Sequence, residues 1–128
     1  TLWSADVGAA MVWVGDLWQR ALSSLGEFAG AAVHQGPLVP SPWSKAVCWA
    51  GVGTGELTRG AAKIMGVSQR RTRSWARFQS MCHLRWRPDD VAALVAEPRP
   101  SIADLADLVA CVDATAIAIG AALVAALP

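Results

Sequence analysis

From Arg59 to Arg87 the chain has no acidic side chain, yet it carries eight of its eleven cations: Arg59, Lys63, Arg70, Arg71, Arg73, Arg77, Arg85 and Arg87. Charged side chains are almost never fully buried without a partner. A segment this rich in cations therefore has to lie at the surface of whatever the chain folds into. The opposing charge is elsewhere: residues 1–58 sum to −2 and residues 88–128 to −5, so the formal net charge of +1 conceals a polarised molecule. Asymmetry of this kind points to contact with a polyanion.

The apolar residues around this segment are mostly Ala, Val, Leu and Trp, whereas Tyr and Asn are absent and Phe occurs twice. Ala, Leu and Arg are among the best helix formers, and the usual strand formers are scarce, so the composition predicts helices. Ser4 is placed as N-cap of a first helix over 4–33. There Val7, Met11, Val14, Leu17 or Trp18, Leu22 and Leu25 recur at three- and four-residue intervals. At least one of Trp13 and Trp18 is expected in the core, and Gly26 and Gly30 weaken the far end of this helix. Prolines at 37, 40 and 42 make a connector, from which Ser41-Pro42 starts a helix over 43–52. The glycines at 51, 53 and 55 read as a hinge, since no strand precedes them and no G-K-[ST] follows.

Within the basic stretch, Thr58 is expected to cap a short helix from Arg59 to Met65. Gly66 ends it, and Ser68 caps a second helix from Gln69. Trp75, Phe78, Cys82 and Leu84 or Trp86 fall on one helical face, and Pro88 closes the run before a short helix through Val95. After the joint at Glu97-Pro98-Arg99-Pro100, Ser101 caps a last helix carrying Ile102, Leu105, Leu108 or Val109, Val112, Ile119 and Leu123. Beyond Asp113 only Thr115 is polar. The uncharged run falls short of the roughly 20 residues that cross a bilayer, so this helix is read as buried in the fold or in an oligomer. The fold expected is all-α: a single domain over residues 1–128, a compact bundle of roughly four to six helices with proline-marked joints.

The run AAKIMGVSQRRTRSW resembles a helix-turn-helix. It is most similar to the DNA-binding head of the MerR and excisionase type, whose sequences often read A-x-x-x-G-V-S ahead of an Arg-rich helix ending near a Trp. The resemblance covers residues 58–75. Ala62 stands where the helices approach, Gly66 at the turn, and Met65, Val67, Thr72 and Trp75 where apolar residues lock the pair. It implies that Gln69, Arg70, Arg73 and Ser74 face base edges in the major groove, with Arg59, Lys63, Arg71, Arg77, Arg85 and Arg87 on phosphates. Six phosphate contacts imply an affinity loss on the order of a thousandfold between low and moderate salt.

Catalytic signals are thin. His34 and His83 lie far apart in sequence, no H-E-x-x-H or G-x-S-x-G occurs, and Asp89-Asp90 stand at a helix start where the dipole favours them. No enzyme, cofactor or metal is expected. Cys48, Cys82 and Cys111 lack ligand-like spacing and read as buried thiols in a reducing compartment, the cytoplasm. The functional expectation is a small DNA-binding protein, a regulator or architectural factor, paired as a homo-oligomer through residues 102–127. The alternative is a structural, self-assembling or membrane-associated helical subunit whose basic face meets nucleic acid or lipid headgroups.

Overall fold

The computed structural model describes residues 5–128. Helix α1 (Val7–Ser24) is followed by strands β1 (Ala32–Val33), β2 (Leu57–Arg59), β3 (Ala62–Arg71) and β4 (Ala76–Cys82). Helices α2 (Pro88–Leu94), α3 (Ile102–Ala106) and α4 (Ala116–Ala125) complete the chain. The strands form one antiparallel sheet in the order β1-β2-β3-β4. The all-α bundle is thus overturned: the fold is mixed, 35% helix and 20% strand, and the basic stretch is sheet.

The reason lies in spacing. Phe78 and Cys82 are four residues apart, which suits a helical face and equally suits one face of a strand, whose side chains alternate with period two. Across the hairpin Met65 pairs with Cys82, Val67 with Ser80 and Gln69 with Phe78. Cross-strand partners share a face. Met65, Val67, Phe78 and Cys82 turn toward the core formed with Val14, Trp18 and Leu22 of α1. The indole N–H of Trp18 donates to Ser80 Oγ at 2.9 Å, which pins α1 to β4. Burial against α1 outweighs the intrinsic preference of Ala and Arg for helix, and Gly66 lies mid-strand opposite Met81 instead of in a turn between helices.

Several helical expectations shorten. The cap expected at Ser4 lies outside the described residues, and Asp6 caps α1 by accepting from Ala9 N at 3.0 Å. The helix ends before Gly26, at φ +77°. Residues 43–52 form turns and a single 3₁₀ turn over Cys48–Ala50 in place of an α-helix. Pro88 occupies the first position of α2, and Ser101 caps α3 through a capping box with Asp104. The hydroxyl of Ser101, and then its backbone N–H, hold the Asp104 carboxyl below its usual pKa.

The expected last helix is split in two. Residue 63 takes up the main chain between α3 and α4: Lys63 N donates to Leu108 O at 2.8 Å and Ala110 N to Lys63 O at 2.9 Å. Val112 N donates to His83 O at 2.9 Å. Carbonyls and amides used this way are not available to a helical ladder. Helix α4 restarts at Thr115, which caps it through Ala118 N, and lies along α1. The cysteines are free and are not the buried thiols expected: Cys48 and Cys111 are exposed and Cys82 is half-buried.

A β-bulge fixes what faces outward. Leu57 pairs with Met65 but Thr58 pairs with Lys63, leaving Ile64 as an extra residue in β3. An inserted residue reverses the alternation beyond it. Ile64 and Met65 therefore both enter the core, while Lys63 is delivered to the opposite face.

The turn before β2 is fixed by backbone contact. Gly55 has φ +82°, and a Cβ there would run into the main chain of Met11; a Cβ on Gly15 would meet the Gly55 carbonyl. Gly30 has a similar φ of +81° with open space around it. Gly55→Ala should therefore cost clearly more than the ~1–2 kcal/mol of a left-handed non-glycine residue, and Gly30→Ala no more than that. Urea unfolding of both variants checks this; equal losses would mean that the contact with Met11 is unimportant.

Candidate functional site

The outward face of the β3–β4 hairpin is a row of cross-strand pairs: Gly66 with Met81, Ser68 with Gln79, and Arg70 with Arg77. Ser68, Arg70, Arg77, Gln79 and Met81 are all exposed. At the tip Thr72 organises the loop: its N–H donates to Trp75 O at 2.9 Å, and its hydroxyl accepts from Ser74 N and Trp75 N at 3.3 Å each. Arg73, Ser74 and Trp75 project from this loop, with Trp75 46% exposed.

Arg70, Arg73 and Arg77 form no ion pair among the described residues. Arg70 and Arg77 are direct cross-strand neighbours, and like charges in that position are destabilising. The tip therefore carries a concentrated positive charge that the fold does not neutralise.

Toward the base of the hairpin the same face deepens into a cleft of about 430 Å³, with Gly66, Ser68, Gln79 and Met81 along the strands and Cys48 and Trp49 overhanging them. Lys63 and Glu56 lie in its floor. Lys63 is 2% exposed, and its Nζ donates to Glu56 Oε2 at 2.7 Å and to Cys48 O at 3.1 Å, with the Trp49 ring 5.2 Å away. Glu56 Oε2 also accepts from Gly53 N at 2.7 Å. A buried ion pair is tolerated where hydrogen bonds complete both partners, and this pair largely meets that condition.

Trp49 is packed into a row of aromatic rings. His83 packs edge-on against it at 4.5 Å and against Trp86 at 5.0 Å. Trp86 is in turn tied by its indole N–H to Leu105 O at 2.9 Å. Burial between the two indoles pushes the His83 pKa below the usual histidine value, so this ring is neutral near neutral pH.

The residues singled out from sequence are dispersed. Arg70, Arg73, Ser74 and Arg77 come together at the hairpin tip. Gln69 turns toward α1, paired with Phe78, so it cannot meet base edges alongside Arg70. Arg59 lies over the Phe28 ring at 4.9 Å, and Arg71 donates to Ala5 O at 3.1 Å. Lys63 is buried against Glu56 and offers nothing to phosphate. Arg85 is exposed beyond β4, and Arg87 pairs with Asp90 at 3.0 Å. The helix-turn-helix geometry is replaced by a two-stranded ribbon because the strands pair with each other across Gly66–Met81. Sequence reasoning missed Trp49 and Glu56. The one signal for them was an isolated lysine inside an otherwise apolar run, AAKIM, which requires a partner carboxylate if it is buried.

No protein-family model, curated protein or solved structure matches the chain.

The buried pair makes a sharp stability test. Lys63→Met leaves the Glu56 carboxylate buried without its cation and should cost about 3–5 kcal/mol. Lys63→Met combined with Glu56→Gln should restore most of that loss, because Gln keeps an acceptor for Gly53 N. Chemical denaturation of the double-mutant cycle checks both; additive losses would show that the two groups are not coupled.

Proposed function

We propose that this chain binds nucleic acid through the β3–β4 hairpin rather than through a helix. The observation that carries the reading is the cluster of Arg70, Arg73 and Arg77 on one ribbon tip, without carboxylate partners among the described residues and next to the exposed Trp75. Guanidinium groups bind phosphate in a bidentate fashion, and an exposed indole offers a stacking surface to a base. A two-stranded ribbon also has the dimensions of a groove reader. Cross-strand repulsion between Arg70 and Arg77 is relieved when an anion bridges them, so binding and fold stability reinforce each other at this pair.

Three phosphate contacts give a log–log salt slope of about −2 to −3. Fluorescence anisotropy with a labelled oligonucleotide at increasing salt should return such a slope. Arg70→Ala, Arg73→Ala and Arg77→Ala combined should bring it near zero without lowering thermal stability. Arg99→Ala is the control, because Arg99 pairs with Glu97 at 2.7 Å far along the chain. A slope unchanged in the triple variant removes the proposal.

A second reading, self-association, is favoured by α4. From Ala116 to Pro128 no side chain is polar, and α4 leaves Ile117 86% and Val124 70% exposed, one above the other at a seven-residue spacing. At ten residues the helix is about 15 Å long, half of a bilayer core, and among the described residues no helix is long and apolar enough to cross a membrane. A second copy of the same face, related by a two-fold axis, would cover both residues and place two hairpins on one particle. Sedimentation should show a concentration-dependent dimer that Ile117→Glu with Val124→Glu converts to monomer. A monomeric wild type at high concentration would sink this reading.

A further inference from the structure

We infer that the cleft beneath Trp49 receives an unstacked base of a single-stranded nucleic acid whose phosphates lie on Arg70 and Arg77. The inference rests on the hairpin's being the nucleic-acid contact and adds what the hairpin reads.

Three observations converge on it. The cleft and the arginines are successive rungs of one strand face. Ser68 and Gln79 stand one pair before Arg70 and Arg77, about 7 Å along the ribbon, so a strand following the arginines passes over the cleft mouth. The charge in the cleft selects the part of the strand that enters: the Glu56 carboxylate lines it, already matched by Lys63, and an added phosphate there would meet a carboxylate without a free cation. A neutral base meets no such penalty.

The third observation is the chemistry of the walls. Trp49 presents an aromatic side chain braced by His83 and Lys63. Gly66 opposite it has no side chain: a Cβ there would already touch its neighbours, 3.4 Å from Glu56 Oε1 and 3.7 Å from the Trp49 ring. This point of the cleft therefore admits the edge of a base, an exocyclic amino group, while the ring stays in the wider part. Glu56 uses Oε2 for Lys63 and Gly53, and Oε1 is the oxygen turned toward that gap. A carboxylate oxygen accepts from an exocyclic amino group such as cytosine N4. Ser68 and Gln79 at the mouth supply donors and acceptors for the rest of the base edge. A base inside a duplex is stacked and paired and cannot reach this depth, so the ligand class is single-stranded.

The test compares, on the full chain, an oligo-dC strand of about 15 nucleotides with an abasic phosphodiester strand of equal length. Wild type should bind oligo-dC roughly 5- to 150-fold tighter, the worth of a stacked base. Gly66→Val, a good strand former, closes the space between Gly66, Glu56 and Trp49 and should reduce oligo-dC affinity to that of the abasic strand while keeping the salt slope. Ser68→Leu, at an exposed position, closes the mouth from outside and should do the same should Gly66→Val fold poorly. Equal wild-type affinity for the two strands overturns the inference and leaves the arginine contact standing. Discrimination that survives both cleft variants but disappears with Trp75→Ala places the base at the hairpin tip and also overturns it. Failure to bind either strand at low salt defeats the hairpin reading itself.

Discussion

One extra residue in β3 decides the chemistry of this molecule. Without Ile64 as a bulge, strict alternation would put Lys63 on the same face as Met65, inside the apolar core with Leu57 and Trp18. An ammonium there would have no counterion, and the desolvation cost would far exceed what one side chain contributes to a core. The bulge reverses the parity, so Ile64 and Met65 fill the core together while Lys63 reaches Glu56 and the Cys48 carbonyl. The same residue's main chain holds the segment between α3 and α4 through Leu108 and Ala110. The two hydrophobic clusters, one under α1 and one around Trp43, Trp49 and Trp86, are joined through this strand.

The hairpin beyond the bulge divides its work by face. Its inner side is committed to α1 through Val67, Phe78 and the Trp18–Ser80 hydrogen bond. Its outer side is covered only at its base, by the Cys48–Ala50 turn, and beyond that leaves Ser68, Arg70, Arg77, Gln79 and Met81 exposed. Placing Arg70 opposite Arg77 works against stability. Positions that oppose the fold's own stability are where function is expected to reside, because the compensating contact comes from outside.

Parts of this were legible in the sequence, and the physical scale of each determinant explains which. Determinants within a few residues could be read: Pro88 at the start of α2, the Ser101 cap, the weakness of the first helix at Gly26 (though it stops there instead of running to 33) and the core placement of Trp18. Determinants set across the chain could not. Phe78 and Cys82 fit either period, and only the pairing of β4 with β3 and the cover of α1 chooses the strand. The helix-turn-helix resemblance depended on Gly66 as a bend, and glycine serves equally as an extended residue that leaves room for a neighbour. Of the residues expected to contact nucleic acid, Arg70, Arg73 and Arg77 do lie together and exposed at the hairpin tip, because the surface position of a cation is a local property. Gln69 was misjudged because its face depends on the register with Phe78, and Lys63 because its face depends on the bulge. Trp49 and Glu56 enter the site only through the path of the chain before β2.

The acidic flanks raise the question of why they do not neutralise the basic hairpin. The structure shows where seven of the ten acids stand. Asp6 and Asp104 are caps, Asp89 and Asp90 lie in the first turn of α2, and Glu27 accepts from Asp113 N. Glu56 holds Lys63, Glu97 holds Arg99, and Asp90 holds Arg87. The acids at the caps and first turns are engaged by their own helices, through capping and helix-dipole interactions that are short-ranged. None of these contacts reaches Arg70, Arg73 or Arg77. At physiological ionic strength a surface charge is screened beyond about 8 Å, so remote carboxylates do little to cancel the field at the hairpin tip. The positive charge of Arg70, Arg73 and Arg77 thus stays at the hairpin tip although the formal net charge of the chain is only +1.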